Sequence, residues 1–230
     1  MRRDAVVPRT SIFVIAAAAA ATCAISACGP IKMGAAAITG DQRITTATLS
    51  NEVSHLQQAY QAGRGSIRLQ FPLSEAPQQV LSWMLRFKIR DQLAVRNHLS
   101  VTPGDSQRAL AALERQTGRT GPAFVQLAVA NGLPPDMLPA LGRYEAIQNA
   151  MLTRLDGGTL PRSTAQVQQL SAVLSQRQCV AAKTLNIQVN PEFGQLDYAS
   201  LSVIPSATSL AAPPTPSPSP TVRPQLTPKC

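Results

Sequence analysis

The chain has 230 residues, a formal charge of +9, 44% hydrophobic residues and only 4% aromatic ones. That length accommodates one domain with appendages. The basic residues are scattered, as Arg64, Arg115, Arg143 and Arg177 show, and the densest set is Arg86, Lys88, Arg90 and Arg96. Nucleic-acid binding requires a basic stripe interleaved with aromatics, so the composition argues against a nucleic-acid partner. It reads as a solvated surface that favours anionic lipid headgroups.

At the N-terminus, Arg2, Arg3 and Arg9 precede an uncharged run from Ser11 to Ala27. The run is shorter than the roughly 20 apolar residues of a membrane span. A positive head, an apolar middle and small residues at the end describe a secretory signal. The pair Arg2-Arg3 has no surrounding twin-Arg motif, so general secretion is expected. The ending Ile25-Ser26-Ala27-Cys28 resembles a lipobox. That resemblance implies removal of residues 1–27, diacylglycerol on the Cys28 thiol and a tether over residues 28–34. The site would be the extracytoplasmic face of a cell membrane. Three Arg and one Asp lie before Cys28, so +7 of the charge belongs to the remainder.

Beyond the tether, Ala35–Thr39 reads as a short strand, Gly40-Asp41-Gln42 as a turn and Arg43–Thr45 as extended again. Thr46 or Thr48 is the expected cap of a first helix over about Thr48–Ala62, where Leu49, Val53, Leu56 and Tyr60 share a stripe. A second helix, Ala76–Arg96, carries Val80, Leu81, Met84, Leu85, Phe87, Ile89 and Leu93, with Trp83 beside the stripe. Pro77 suits its first turn. A third helix covers Pro103–Thr117 and a short fourth Pro122–Ala130. A fifth starts at Pro134-Pro135-Asp136 and reaches Leu155, with Met137, Leu141, Tyr144, Ile147 and Met151 along one side. The sixth runs from about Ser163 to Leu185. Asn186–Asn190 then alternates as a strand, Pro191–Gly194 turns, and Leu201–Ile204 is extended. Residues 206–230 form a Pro/Ser/Thr-rich tail, densest from Ala211, whose composition predicts disorder with polyproline character.

The expected architecture is therefore mainly α: a multi-helix domain over residues 35–205 with short strands at both ends that pair. Four stretches resemble the N-terminal domain of SurA-type periplasmic chaperones and the related PrsA foldase lipoproteins. The first is Ala36–Thr45, similar to the family's opening strand, turn and strand. The second is Val80–Ile89 continuing through Leu93–Thr102, similar to its long helix and exit. The third is Phe124–Leu133. The fourth is Ile187-Gln188-Val189-Asn190-Pro191-Glu192-Phe193-Gly194, similar to its terminal strand. The resemblance implies a module that cups unfolded polypeptides. Foldases of this kind insert a parvulin-type prolyl isomerase before the last helix. Here that place, near Gly157–Pro161, offers only a short loop, and a parvulin needs a domain's worth of residues.

The remaining chemistry is sparse. Of four Cys, Cys23 leaves with the signal and Cys28 would be acylated. Cys179 and Cys230 could pair in an oxidising compartment, although Cys179 lies in a helical pattern where a buried thiol is ordinary. No Cys-x-x-Cys occurs, and two His make a zinc site improbable. Gly-x-Ser-x-Gly and phosphate-loop motifs are absent, and His55 and His98 read as structural or solvent-facing. The reading is a non-enzyme without cofactor beyond the lipid on Cys28. Its partners would be unfolded exported polypeptides and, through the anchor, the membrane. Met is adaptable and suits promiscuous contact. The candidate peptide-binding residues are Trp83, Met84, Phe87, Met137, Leu141, Tyr144 and Met151. A non-enzymatic adaptor in an envelope complex is the alternative, and a prolyl isomerase a more distant one.

Overall fold

The computed structural model describes residues 34–63, 65–161 and 163–206. The expected signal, the lipidation of Cys28 and the Pro-rich tail lie outside these residues.

Strands β1 (Ala35–Thr39) and β2 (Gln42–Thr45) form an antiparallel hairpin. Ala35, Ala36 and Ala37 are all buried. Successive strand residues point to opposite faces, so three in a row mean that β1 is covered on both. Helix α1 (Thr46–Ala62) follows without a break. Its cap is Thr45 rather than Thr46 or Thr48: the Thr45 Oγ1 accepts from the Thr48 N–H at 3.0 Å. The reason is that the strand holds Thr45 extended, at φ −79° and ψ 155°, as an N-cap residue must be.

A single 3₁₀ turn, Leu73–Glu75, leads into α2 (Ala76–Arg96), the longest buried element. Val80, Leu81, Leu85 and Ile89 recur at helical spacing and are at most 1% exposed. Burial of each such side chain stabilises by about 1.5–3 kcal/mol. Helices α1, α5 and α6 and the last strand all pack on α2. It stops where the Asn97 side chain donates to the Leu93 carbonyl at 2.8 Å and His98 turns left-handed at φ 51°.

Helix α3 (Pro103–Thr117) opens with a capping box in which Thr102 and Asp105 satisfy each other's backbone N–H groups. Helix α4 (Pro122–Ala130) is short and apolar. The expected fifth helix divides into a 3₁₀ turn, Pro135–Met137, and α5 (Leu138–Leu155). Two prolines cause this. Pro134 is held extended at ψ 144° by the proline after it. Pro139 has no N–H to give the Pro135 carbonyl, so α-helical bonding starts afresh. Helix α5 packs closely on α3 because Gly142 lies against the Ser106 carbonyl.

Helix α6 (Thr164–Thr184) is capped by Ser163. Strand β3 is only Gln188–Val189, shorter than Asn186–Asn190, because Asn186 takes a left-handed φ of 46° where the helix exits. It pairs antiparallel with β1, Ala37 opposite Val189 and Ile38 opposite Gln188, giving the order β2-β1-β3. The expected closure of N-terminal on C-terminal strand is thus present, and the fold is mainly α. A second hairpin, β4 (Gln195–Asp197) with β5 (Ser202–Ile204), was not expected on its first arm. Its turn is built by Asp197, whose carboxylate accepts from the Ala199 and Ser200 N–H groups and the Ser200 hydroxyl.

Candidate functional site

Trp83 and Phe87 stand one turn apart on α2, with ring centroids 5.8 Å apart. Tyr144 comes from α5 and places its ring 5.6 Å from Phe87. Leu141, one turn before Tyr144, and Met137, in the preceding 3₁₀ turn, join the same cluster with Phe124, Ala128 and Leu133. Five of the seven candidate residues therefore meet in one place. Phe87 and Leu141 are its buried floor, while Trp83, Met137 and Tyr144 are half-buried. Leu110 and Leu113 of α3, Leu127 of α4 and Leu138 of α5 add further half-buried apolar surface.

Two candidates lie elsewhere. Met84 is turned about 100° from Trp83 around α2 and packs on the main core with Leu81 and Leu85. Met151 shares the Tyr144 side of α5 but lies seven residues, about 10 Å, further along. There it is 1% exposed in a separate cluster with Ala94, Ile147, Leu152 and Leu174.

The aromatic cluster is bordered by two arginines that the sequence reading placed on a solvated surface. Arg90 is only 3% exposed. Its guanidinium lies 3.8 Å from the Tyr144 ring centroid, and its Nη1 donates to Gln148 Oε1 at 2.9 Å. Gln178, with its amide oxygen toward α2, accepts from Arg90 Nε at 2.7 Å and also from Nη2. One side chain thereby links α2, α5 and α6. Burial pulls the Arg90 guanidinium below its usual pKa, opposed by Tyr144 and Glu145. Glu145 is in turn pushed up by burial and eased back by Arg90. Arg86 lies 5.2 Å from the Trp83 ring and donates from Nε to the Leu201 carbonyl at 3.1 Å, binding α2 to the β4–β5 hairpin. The signal for this pattern was present in the sequence: Arg86 and Arg90 are spaced i, i+4 and alternate with Trp83 and Phe87, so they share the buried side of the helix.

Trp83 itself is fixed by its indole N–H, which donates to the Asn131 carbonyl at the end of α4, 3.0 Å away. The ring is thus oriented with one edge anchored and part of its surface open.

His55 Nδ1 lies 2.7 Å from Asp136 Oδ2, though not in hydrogen-bond alignment, and the pair straps α1 to the turn before α5. His98 occupies the left-handed break after α2. No metal-binding group of His, Cys, Asp and Glu occurs among the described residues. A groove of about 400 Å³ lies between α3 and α5, lined by Ala109, Ala112, Ala146 and Ala150 together with Asn149 and Thr153. The charged residues beside it, Asp105 and Arg108, pair with each other. Cys179, on α6, is buried and disulfide-bonded. Between Leu155 and Thr164 the chain makes only a short connection.

No protein-family model, curated protein or solved structure matches this chain.

Proposed function

We propose that this is a membrane-tethered, extracytoplasmic chaperone-like protein that binds apolar segments of unfolded exported polypeptides without covalent chemistry. The observation that carries the reading is the partly open apolar cluster of Trp83, Met137 and Tyr144 over Phe87 and Leu141, extended by Leu110, Leu113 and Leu127. Aromatic and Met side chains give large contact area with adaptable packing. The anchored indole of Trp83 loses little freedom on binding, because its hydrogen bond to Asn131 already orients it.

Two further features support the reading. The resemblance to the SurA-type peptide-binding module covers the stretch in which the strands close and the helices fall. The Ile25–Cys28 lipobox would keep such a module where exported chains emerge. Suppression of aggregation by the soluble chain beginning at Gly29 tests the proposal. A client protein diluted from denaturant should aggregate more slowly in its presence, and Trp83→Ala should weaken the effect. A protein that never slows aggregation, but yields one stable envelope partner on affinity capture, supports the adaptor reading instead.

A further inference from the structure

We infer that the groove between the carboxyl-terminal halves of α2 and α6 is a docking surface for the anionic headgroups of a lipid bilayer, a membrane contact that does not depend on a lipid at Cys28. The two helices run side by side in the same direction. Arg90 is bonded to Gln178 and, further along, the Arg96 guanidinium to the Thr184 hydroxyl at 2.6 Å. Beside the second bond lies a groove of about 380 Å³. Its floor is Leu93 and Ala181, both buried, and its rim is Arg96, Asn97, Gln176, Arg177 and Val180.

The rim is apolar and cationic at once. Val180 is 47% exposed, and Val173, two turns earlier on the same face of α6, is 39% exposed. The inward side of α6 is already filled by Leu174, Ala181 and Ala182, so the fold itself does not use these valines. Helix α6 carries Arg177 and Lys183 and no Asp or Glu, and α2 has no acid after Asp91, which pairs with Arg143. Arg177 and Lys183 make no ion pair among the described residues. Arg96 and Lys183 also complement the negative ends of their helices. Arg177 stands about two turns before the end of α6, beyond the reach of that effect.

An apolar floor inside an unneutralised cationic rim fits an anionic amphiphile. Phosphate oxygens accept from guanidinium and ammonium groups, and the first methylenes below a headgroup cover exposed Val. The long basic side chains lay their stems along apolar surface and keep their charges at headgroup level. Arg96 is held in place by Thr184, so it loses little freedom on binding. A folded protein partner fits less well. Seven residues line the groove, against roughly 20–30 a side in a stable protein interface.

The test is co-sedimentation of the unacylated chain beginning at Gly29 with lipid vesicles. Every described residue lies at or after Gly34, so this chain carries the whole described fold. It should bind vesicles of mixed phosphatidylglycerol and phosphatidylcholine, release them as salt rises, and leave pure phosphatidylcholine unbound. The double variant Arg177→Gln/Lys183→Gln alters only exposed side chains. It should weaken binding by about fivefold for each cation removed, and Val180→Ser should weaken it as well. Arg115→Gln/Arg119→Gln removes the same charge at the end of α3 and should leave binding intact. Equal binding to neutral vesicles, equal losses in the two double variants, or no vesicle binding each overturns the inference. Binding of a soluble polyglutamate peptide without binding of vesicles would make the occupant an acidic protein segment and also overturns it. The chain used carries no acyl group, so failure here leaves the reading of Cys28 to stand or fall on its own.

Discussion

Ser82 in α2 receives the Val203 N–H of β5 on its hydroxyl oxygen at 2.8 Å, across 121 residues of sequence, while its own O–H donates to the Gln78 carbonyl at 2.6 Å. The hydroxyl thus serves as both donor and acceptor at a site only 2% exposed. It gives the short β4–β5 hairpin a fixed place on the central helix. Ser82→Ala would leave the Val203 N–H buried without a partner, which costs about 1–3 kcal/mol. Urea unfolding should show that loss as a lower midpoint at unchanged slope. A variant as stable as the parent would mean that water replaces the hydroxyl.

Gly142 makes the opposite kind of contact, one of space. A Cβ there would lie 2.6 Å from the Ser106 carbonyl oxygen and 3.2 Å from the Leu110 Cβ. In an unhindered helix Gly→Ala stabilises by roughly 0.5–1 kcal/mol. Here overpacking should reverse the sign, so that Gly142→Ala destabilises by about 1–3 kcal/mol and parts α3 from α5. Thermal unfolding reads the sign directly, and a raised Tm would refute the close approach.

Acid dependence should separate two carboxylates. Burial raises the Glu145 pKa in the fold, with Arg90 partly opposing. A raised pKa means that the folded state binds the proton more tightly. The stability this gives is present below the unfolded value and is lost as pH rises through the folded one. Glu145→Gln should therefore be more stable than the parent at pH 7.5, with the advantage vanishing near pH 4. Asp197 has the contrary sign. The Ser200 hydroxyl and the Ala199 N–H hold its pKa below the ordinary carboxylate range. Its contribution is present at neutral pH and lost as pH falls through that lowered value, so Asp197→Asn should be less stable at pH 7.5. Chemical denaturation at the two pH values checks both.

Most of the helical architecture was legible because its signals are local. The bounds of α2, α3 and α4 follow from Pro at the first turn and from Asn or Gly after the last. The pairing of β1 with β3 was expected from a short apolar strand, Ala35–Thr39, and a short alternation, Asn186–Asn190, at opposite ends of the domain. Strand β4 was not, because Gln195-Leu196-Asp197 has too few residues to show a period and pairs with β5, which Ser82 and Arg86, far away in sequence, hold on α2. Nor could the stripe of α5 be divided by sequence alone. Tyr144 and Met151 share one side of the helix, yet one meets Phe87 and the other Ala94, and only tertiary packing separates them. The burial of Arg90 was signalled only by its helical spacing from Trp83 and Phe87, and what permits it lies outside that pattern. Its compensation comes from Gln148 and Gln178, polar residues on two other helices.

The anchored indole gives a finer test of the binding cluster. Trp83→Phe keeps a ring beside Phe87 but removes the N–H to Asn131, whereas Trp83→Ala removes both. Loss of a buried aromatic contact of this kind weakens binding by about tenfold or more, ~1.4 kcal/mol at the least. The Ala variant should show that loss in client affinity and the Phe variant a smaller one. Equal affinities in all three proteins would remove Trp83 from the binding surface.

The most direct measurement is an anisotropy titration of a fluorescent unfolded polypeptide with the soluble chain beginning at Gly29. Saturable binding, competed by several unrelated unfolded sequences and weakened by Trp83→Ala, is the predicted result. No binding at high protein concentration, or binding that only one sequence competes for, would contradict a promiscuous chaperone surface.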